Sequence, residues 1–129
     1  MIIVQKEWYS VEQCLNNPQN LYVFGDNTIR VGKGGQAQIR DCANSFGIAT
    51  KRYPTMEDNA FFIDDDSMSD LDYILADIEE LHNIKDQYEN IVFPYDGLGT
   101  GLSKMPTSCP LTFQVMNRIL SREFGFNNV

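Results

Sequence analysis

The chain has 129 residues and a formal net charge of −8, from 10 basic and 18 acidic side chains. That length makes one domain of residues 1–129, able to bury roughly two thirds of its unfolded surface around one core. The acidic balance excludes a general nucleic-acid binder, whose phosphate contacts need a basic surface. Cys14, Cys42 and Cys109 are odd in number and have no paired spacing, so they fit buried thiols in a reducing compartment better than a disulfide framework. One histidine, His82, and no Cys-x-x-Cys leave a structural zinc site nothing to build on, and no metal or cofactor is expected. No signal peptide or membrane-length apolar stretch is visible, so the expected location is cytoplasmic, without a membrane partner.

In chain order, residues 2–4 and 21–24 read as short strands. Between them "SVEQCLNNPQN" offers a cap at Ser10, a brief helix and a stop at Asn17 and Pro18. A helix is expected from Gly34 to about Asn44, and strands over 46–50 ("FGIAT") and 60–63 ("AFFI"). "DDDSMSD", 64–70, reads as a solvated acidic loop. The clearest helix follows, with Leu71, Ile74, Leu75, Ile78 and Leu81 at 3.6-residue spacing and Ser69 as its start signal. His82 lies near that stripe and reads as a packed or edge-of-core residue. "NIVFP", 90–94, has the form of a buried strand. The last helix presents Leu111, Val115, Met116, Ile119 and Leu120, with Phe113 toward the edge, and stops at Gly125. Strands alternating with helices indicate an α/β domain with a largely parallel or mixed sheet.

Two loops stand out. "VFGDNTIRVGKGGQAQIRD" (23–41) runs from a strand into three glycines within four residues, and "PYDGLGTGLSKMP" (94–106) has Gly97, Gly99 and Gly101 at alternate positions after another strand. If those strands are parallel, both loops lie on one sheet edge, where α/β proteins gather ligands. Bare backbone N–H groups there can cradle phosphate oxygens, although glycines also serve tight turns alone. Residues 30–52 carry Arg30, Lys33, Arg40, Lys51 and Arg52 against one acid, Asp41, while residues 57–80 carry ten acids and no base. A locally basic, glycine-rich segment on an acidic body suits a small anionic ligand better than a polymer. "GKGGQA" satisfies the dinucleotide fingerprint formally, but seven residues separate it from its strand. The second loop does not place Lys104 as a P-loop requires, which disfavours a magnesium-driven nucleotide hydrolase.

In "GDN" after a strand, "VGKGGQAQIRD", "FGIATKR" and "PYDGLGTGLSKM", taken in that order, the chain resembles the macrodomain family, which binds ADP-ribose and related nucleotides. The likeness is closest to the branch of terminal ADP-ribose protein glycohydrolases. It implies a compact three-layer α/β domain, a mixed sheet flanked by helices, with ADP-ribose or an ADP-ribosylated target across the top. By position, Gly25, Asp26 and Asn27 would contact adenosine or the distal ribose. Gly32, Lys33, Gly34, Gly35 and Gln36 would approach the ribose and diphosphate beside Thr50. Gly97, Leu98, Gly99, Thr100, Gly101 and Leu102 would wrap the phosphates.

In that branch the lysine that Lys51 resembles attacks the anomeric carbon, and an aspartate in the second loop completes hydrolysis. An amine does this only when its pKa falls toward neutrality, to which Arg52 would contribute if both side chains point into the cleft. The plainer reading of Lys51 is a solvated charge at a strand end. Ser103 stands where the branch has the aspartate, and a serine is no carboxylate base. Asp96 or Asp26 are the substitutes within reach. Ser45, Ser103 and Ser108 lack a histidine partner for a triad. Trp8, Tyr9 and Tyr53 are candidate base-stacking residues, set against core packing. The expected function is thus nucleotide binding. Hydrolysis through Lys51, and a protein-interaction module using the acidic face 57–80, are the alternatives.

Overall fold

The computed structural model describes residues 1–65 and 70–128. Its strands are β1 (Ile2–Gln5), β2 (Asn20–Asn27), β3 (Ser45–Lys51) and β4 (Asn90–Pro94), and its helices are α1 (Val11–Asn16), α2 (Asp70–Ile84), α3 (Met105–Ser108) and α4 (Pro110–Phe124). The strands form one sheet in the order β1-β4-β2-β3, and every pairing is parallel. The α/β class holds. The antiparallel part of the expected mixed sheet reduces to a single bridge between Lys51 and Phe61.

Alternation along β2 makes the layers. Leu21 and Val23 face one side, where they pack with Ile74, Ile78 and Leu81 of α2 and Met116, Leu120 and Phe124 of α4. Tyr22 and Phe24 face the other, with Cys14 of α1, Ala37 and Ile39. A strand buried on both faces needs apolar residues at successive positions, and Leu21–Phe24 supplies them. Tyr9 closes the smaller layer: its ring meets Tyr22 edge-on at 5.5 Å, and its hydroxyl donates to the Val23 and Val92 carbonyls. Among the described residues no helix is long and apolar enough to cross a membrane.

Several expectations change. The helix expected over 34–44 shrinks to a 3-10 turn, Gly35–Ile39. Gly35 at φ +56° begins it outside the ordinary right-handed helical region, and chain reversal at Cys42 ends the segment, its carbonyl accepting from the Ser45 amide. Residues 60–63 are no sheet strand. Ala60 ends a short 3-10 turn, Phe62 drops into the core, and the Lys51–Phe61 bridge stands alone. Leu75 and Leu111 are exposed, so both helices bury narrower stripes than their spacing indicates. His82 is half exposed beside Glu123, at 3.6 Å, and not packed. Ser69, the expected cap of α2, lies outside the described residues.

Residues 66–69 of the expected acidic loop lie outside the described residues, and at its two ends the carboxylates are engaged. Asp70 is buried against Arg52, which donates at 3.0 and 2.9 Å. Asp64 accepts from the Leu111 and Thr112 amides at 2.8 and 2.9 Å, capping the start of α4. Burial alone would raise the Asp64 pKa, but the two amides outweigh it and hold the carboxyl below its ordinary value. Its contribution is therefore present above the unfolded carboxyl pKa and is lost as pH falls through the lower folded one. Asp64→Ala is expected to cost about 1 kcal/mol in denaturant melts at neutral pH, with the difference from the parent fading as the medium is acidified.

Candidate functional site

Because β2 and β4 are parallel neighbours, the loops that leave them emerge side by side. One side chain joins them. Gln36 accepts from the Gly25 amide through Oε1 at 2.9 Å and donates through Nε2 to the Gly97 carbonyl at 3.1 Å. Both ends of its amide are used, which fixes its orientation and the spacing of the two loops. Between them lies a cleft of about 520 Å³, the size of ordinary small-molecule sites.

The second loop is held from outside the cleft. Asn128, fully buried near the C-terminal end, accepts from the Leu98 amide at 2.7 Å and donates to the Leu98 carbonyl at 3.0 Å. The Gly99 carbonyl accepts from the Met105 amide at 2.9 Å. Gly99 itself sits at φ +80°, and a Cβ there would run into the Met105 sulfur, so this glycine is required by conformation and space together. At Gly34 and Gly101, in contrast, a side chain would meet open space, at backbone angles other residues adopt. Among the described residues, the amides of Gly99, Thr100, Gly101, Leu102 and Ser103 donate to no protein acceptor, and all five residues line the cleft.

The remaining wall is Trp8, Gly25, Gly34, Gly35, Gln36, Thr50, Asp96 and Gly97. Trp8 is 72% exposed, with its indole available from solvent. The Thr50 and Ser103 hydroxyls, both from lining residues, lie 2.7 Å apart. Asp96 is the charged side chain of the lining. Among the described residues no cluster of three or more His, Cys, Asp or Glu gathers in a way that would hold a metal ion.

Of the residues expected in the site, the structure thus brings together Gly25, Gly34, Gly35, Gln36, Thr50, Asp96, Gly97, Gly99, Thr100, Gly101 and Leu102. Six others lie elsewhere. Asp26 is buried in an ion network: Arg40 grips both its oxygens at 2.7 and 3.0 Å, and Arg30 adds a contact at 3.4 Å. Asn27 spends its side chain on the Val31 carbonyl and the Ile29 amide. Gly32 turns toward Pro54, Lys33 pairs with Asp41 at 2.5 Å, and Leu98 is core. The sixth is Lys51.

Lys51 is 7% exposed and lies outside the lining. Its ammonium sits 3.7 Å from the Met56 sulfur and 4.9 Å over the Phe61 ring, with Lys104 over the same ring at 5.6 Å. Burial, and then the Lys104 charge, lower its pKa. Arg52, the neighbour expected to do this, is turned away onto Asp70. The plainer expectation, a solvated charge at a strand end, is therefore corrected: Lys51 is buried, and burial and Lys104, without Arg52, lower its pKa. Trp8 joins the cleft wall, and Lys104 stands over the Phe61 ring beside Lys51; sequence spacing assigns neither position.

Most cations of the basic segment 30–52 are also neutralised by carboxylates, mainly from other parts of the fold. Arg30, Lys33, Arg40 and Arg52 are all paired with carboxylates, so the local charge excess does not reach the cleft. Residues 4–119 match the model of a family of unknown function, DUF7831. The chain belongs to this family. No match was found among curated proteins, nor among solved structures.

An amine whose folded pKa is lowered destabilises the fold wherever it is charged, and that penalty disappears as pH rises from the folded pKa to the unfolded one. Lys51→Met, which keeps the contacts with Met56 and Phe61, is expected to raise Tm by a few degrees at neutral pH. In melts taken across alkaline pH the gain shrinks toward zero.

Proposed function

We propose that the cleft binds ADP-ribose or a related NAD-derived nucleotide. The observation that carries this reading is the pair of glycine loops, pinned to each other by Gln36, with five consecutive amides in residues of the cleft wall that donate to no acceptor among the described residues. Amides so placed are suited to phosphate oxygens, because they supply partial positive charge without a mobile cation. Trp8 supplies a face on which a base can stack, worth about 1–3 kcal/mol per base. Asp96 supplies an acceptor for ribose hydroxyls. The motif order that resembles macrodomains points to the same ligand class.

The ligand is held and not cut. Ser103 occupies the place of the expected carboxylate and shares its hydroxyl with Thr50, and Lys51 points at Phe61 and Met56. Against the acidic-face alternative, three of its ten acids are engaged internally: Asp64 caps α4, Asp70 pairs with Arg52, and Asp77 joins Arg30 to β3.

The test is calorimetry of the purified protein against ADP-ribose, NAD and AMP. Saturable binding of ADP-ribose is expected. Trp8→Ala should weaken ADP-ribose and AMP alike by about tenfold, the equivalent of ~1.4 kcal/mol. Gly101→Val should weaken ADP-ribose by tenfold or more with an unchanged Tm, because its side chain enters open space. Gly99→Val is not a usable control, since the fold itself rejects it. Absence of heat with all three ligands would overturn the proposal, and release of ribose products would replace binding with hydrolysis.

A further inference from the structure

Cys14 and Cys42 are far apart in sequence and adjacent in space. Cys14 is fully buried on α1, and Cys42, half-buried in the turn before β3, packs against the same apolar cluster. The backbone around them is tied together independently: Asn44 donates to the carbonyls of Cys14, Asn17 and Asn20 at 3.0, 3.1 and 2.9 Å. Burial, followed by the Cys42 neighbour, pushes the Cys14 thiol up to about 12. Cys109 lies in the other core layer, beside Ser108.

We propose that Cys14 and Cys42 are a disulfide-forming pair, a modification site that straps α1 to the turn preceding β3 and encloses β2 and the first glycine loop in one covalent ring. The oxidant is a small-molecule disulfide. Cys42, the more accessible sulfur, attacks it as thiolate, forming a mixed disulfide and releasing one thiolate. Cys14 gives up its proton and attacks the Cys42 sulfur, releasing the second. Two protein thiols lose two electrons and two protons, one S–S bond forms, and the oxidant leaves as two thiols. The high pKa of Cys14 makes it unfit for the first attack, and proximity makes it the resolving group. The ring constrains mainly the unfolded chain, so oxidation stabilises the fold.

The experiment is incubation of the native protein with oxidised glutathione, followed by non-reducing peptide mapping and thermal melts. The expected result is a peptide joining Cys14 to Cys42 with two hydrogens lost, Cys109 still a free thiol, and a higher Tm that dithiothreitol reverses. In Cys14→Ser the reaction should stop with glutathione on Cys42. Glutathione retained on Cys42 of the native protein, a disulfide between two chains, or both thiols left free would each overturn the proposal. So would a lowered Tm in the linked species, because closure would then require distortion of the fold. None of these readouts depends on what the cleft binds.

Discussion

A carboxylate buried at the end of a central strand must be matched by positive charge, and Asp26 imposes that demand on everything around it. Arg40 answers from the far side of the first glycine loop, and its remaining hydrogens hold the Gly32 and Val31 carbonyls. Arg30 answers from within the loop and reaches on to Asp77 of α2 at 2.6 Å. Asp77 in turn accepts from the Ala49 amide at 2.7 Å, on the outer edge of β3. One chain of charges thus ties β2, the loop, the edge strand and the covering helix. Breaking such a buried pair leaves an uncompensated ion and costs about 3–5 kcal/mol. Gly47 belongs to the same arrangement, because any Cβ at that point would collide with the Asp26 carboxylate.

This use of charge decides the character of the cleft. The arginines that make the segment look basic are spent on Asp26, Asp77 and Asp70, so the cleft has amide dipoles and one carboxylate in place of side-chain cations. Its shape rests on neutral hydrogen bonds: Gln36 spans the two loops, Asn128 holds Leu98, and Thr50 meets Ser103. Amides fixed by such contacts are preorganised, and neutral groups do not collapse onto internal carboxylates as mobile lysines would. Lys51 is the counter-case. Its ammonium rests on a ring and a sulfur, and Lys104 shares that ring.

Local chemistry announced much of the frame. The runs Leu21–Phe24 and Ile91–Phe93, the Ser10 cap, the spacing of Ile74, Ile78 and Leu81, and Gly125 at φ +68° after α4 all formed as their residues require. The segments that misled were those whose conformation is set by distant partners. Residues 34–44 carry helix-compatible residues, yet Gln36 and Arg40 are held by Gly25, Gly97 and Asp26 from other elements. Residues 60–63 have strand composition, but the backbone beyond Phe61 is directed to Ile63 and Asp64, whose partners are Asp70 and the start of α4.

The sequence by itself determined the α/β class, the strands that feed the two glycine loops, and the glycines of those loops, because these follow from hydrophobic period, turn chemistry and short-range order. That the strands pair in parallel, bringing both loops to one edge, was decided by the fold. Only the tertiary structure decided which charges remain free, where Asp26 and Lys51 point, that Trp8 stands open beside Asp96, and that Cys14 meets Cys42. Each of those depends on contacts between residues remote along the chain, and spacing within a sequence carries no record of which side chain reaches which partner across a fold.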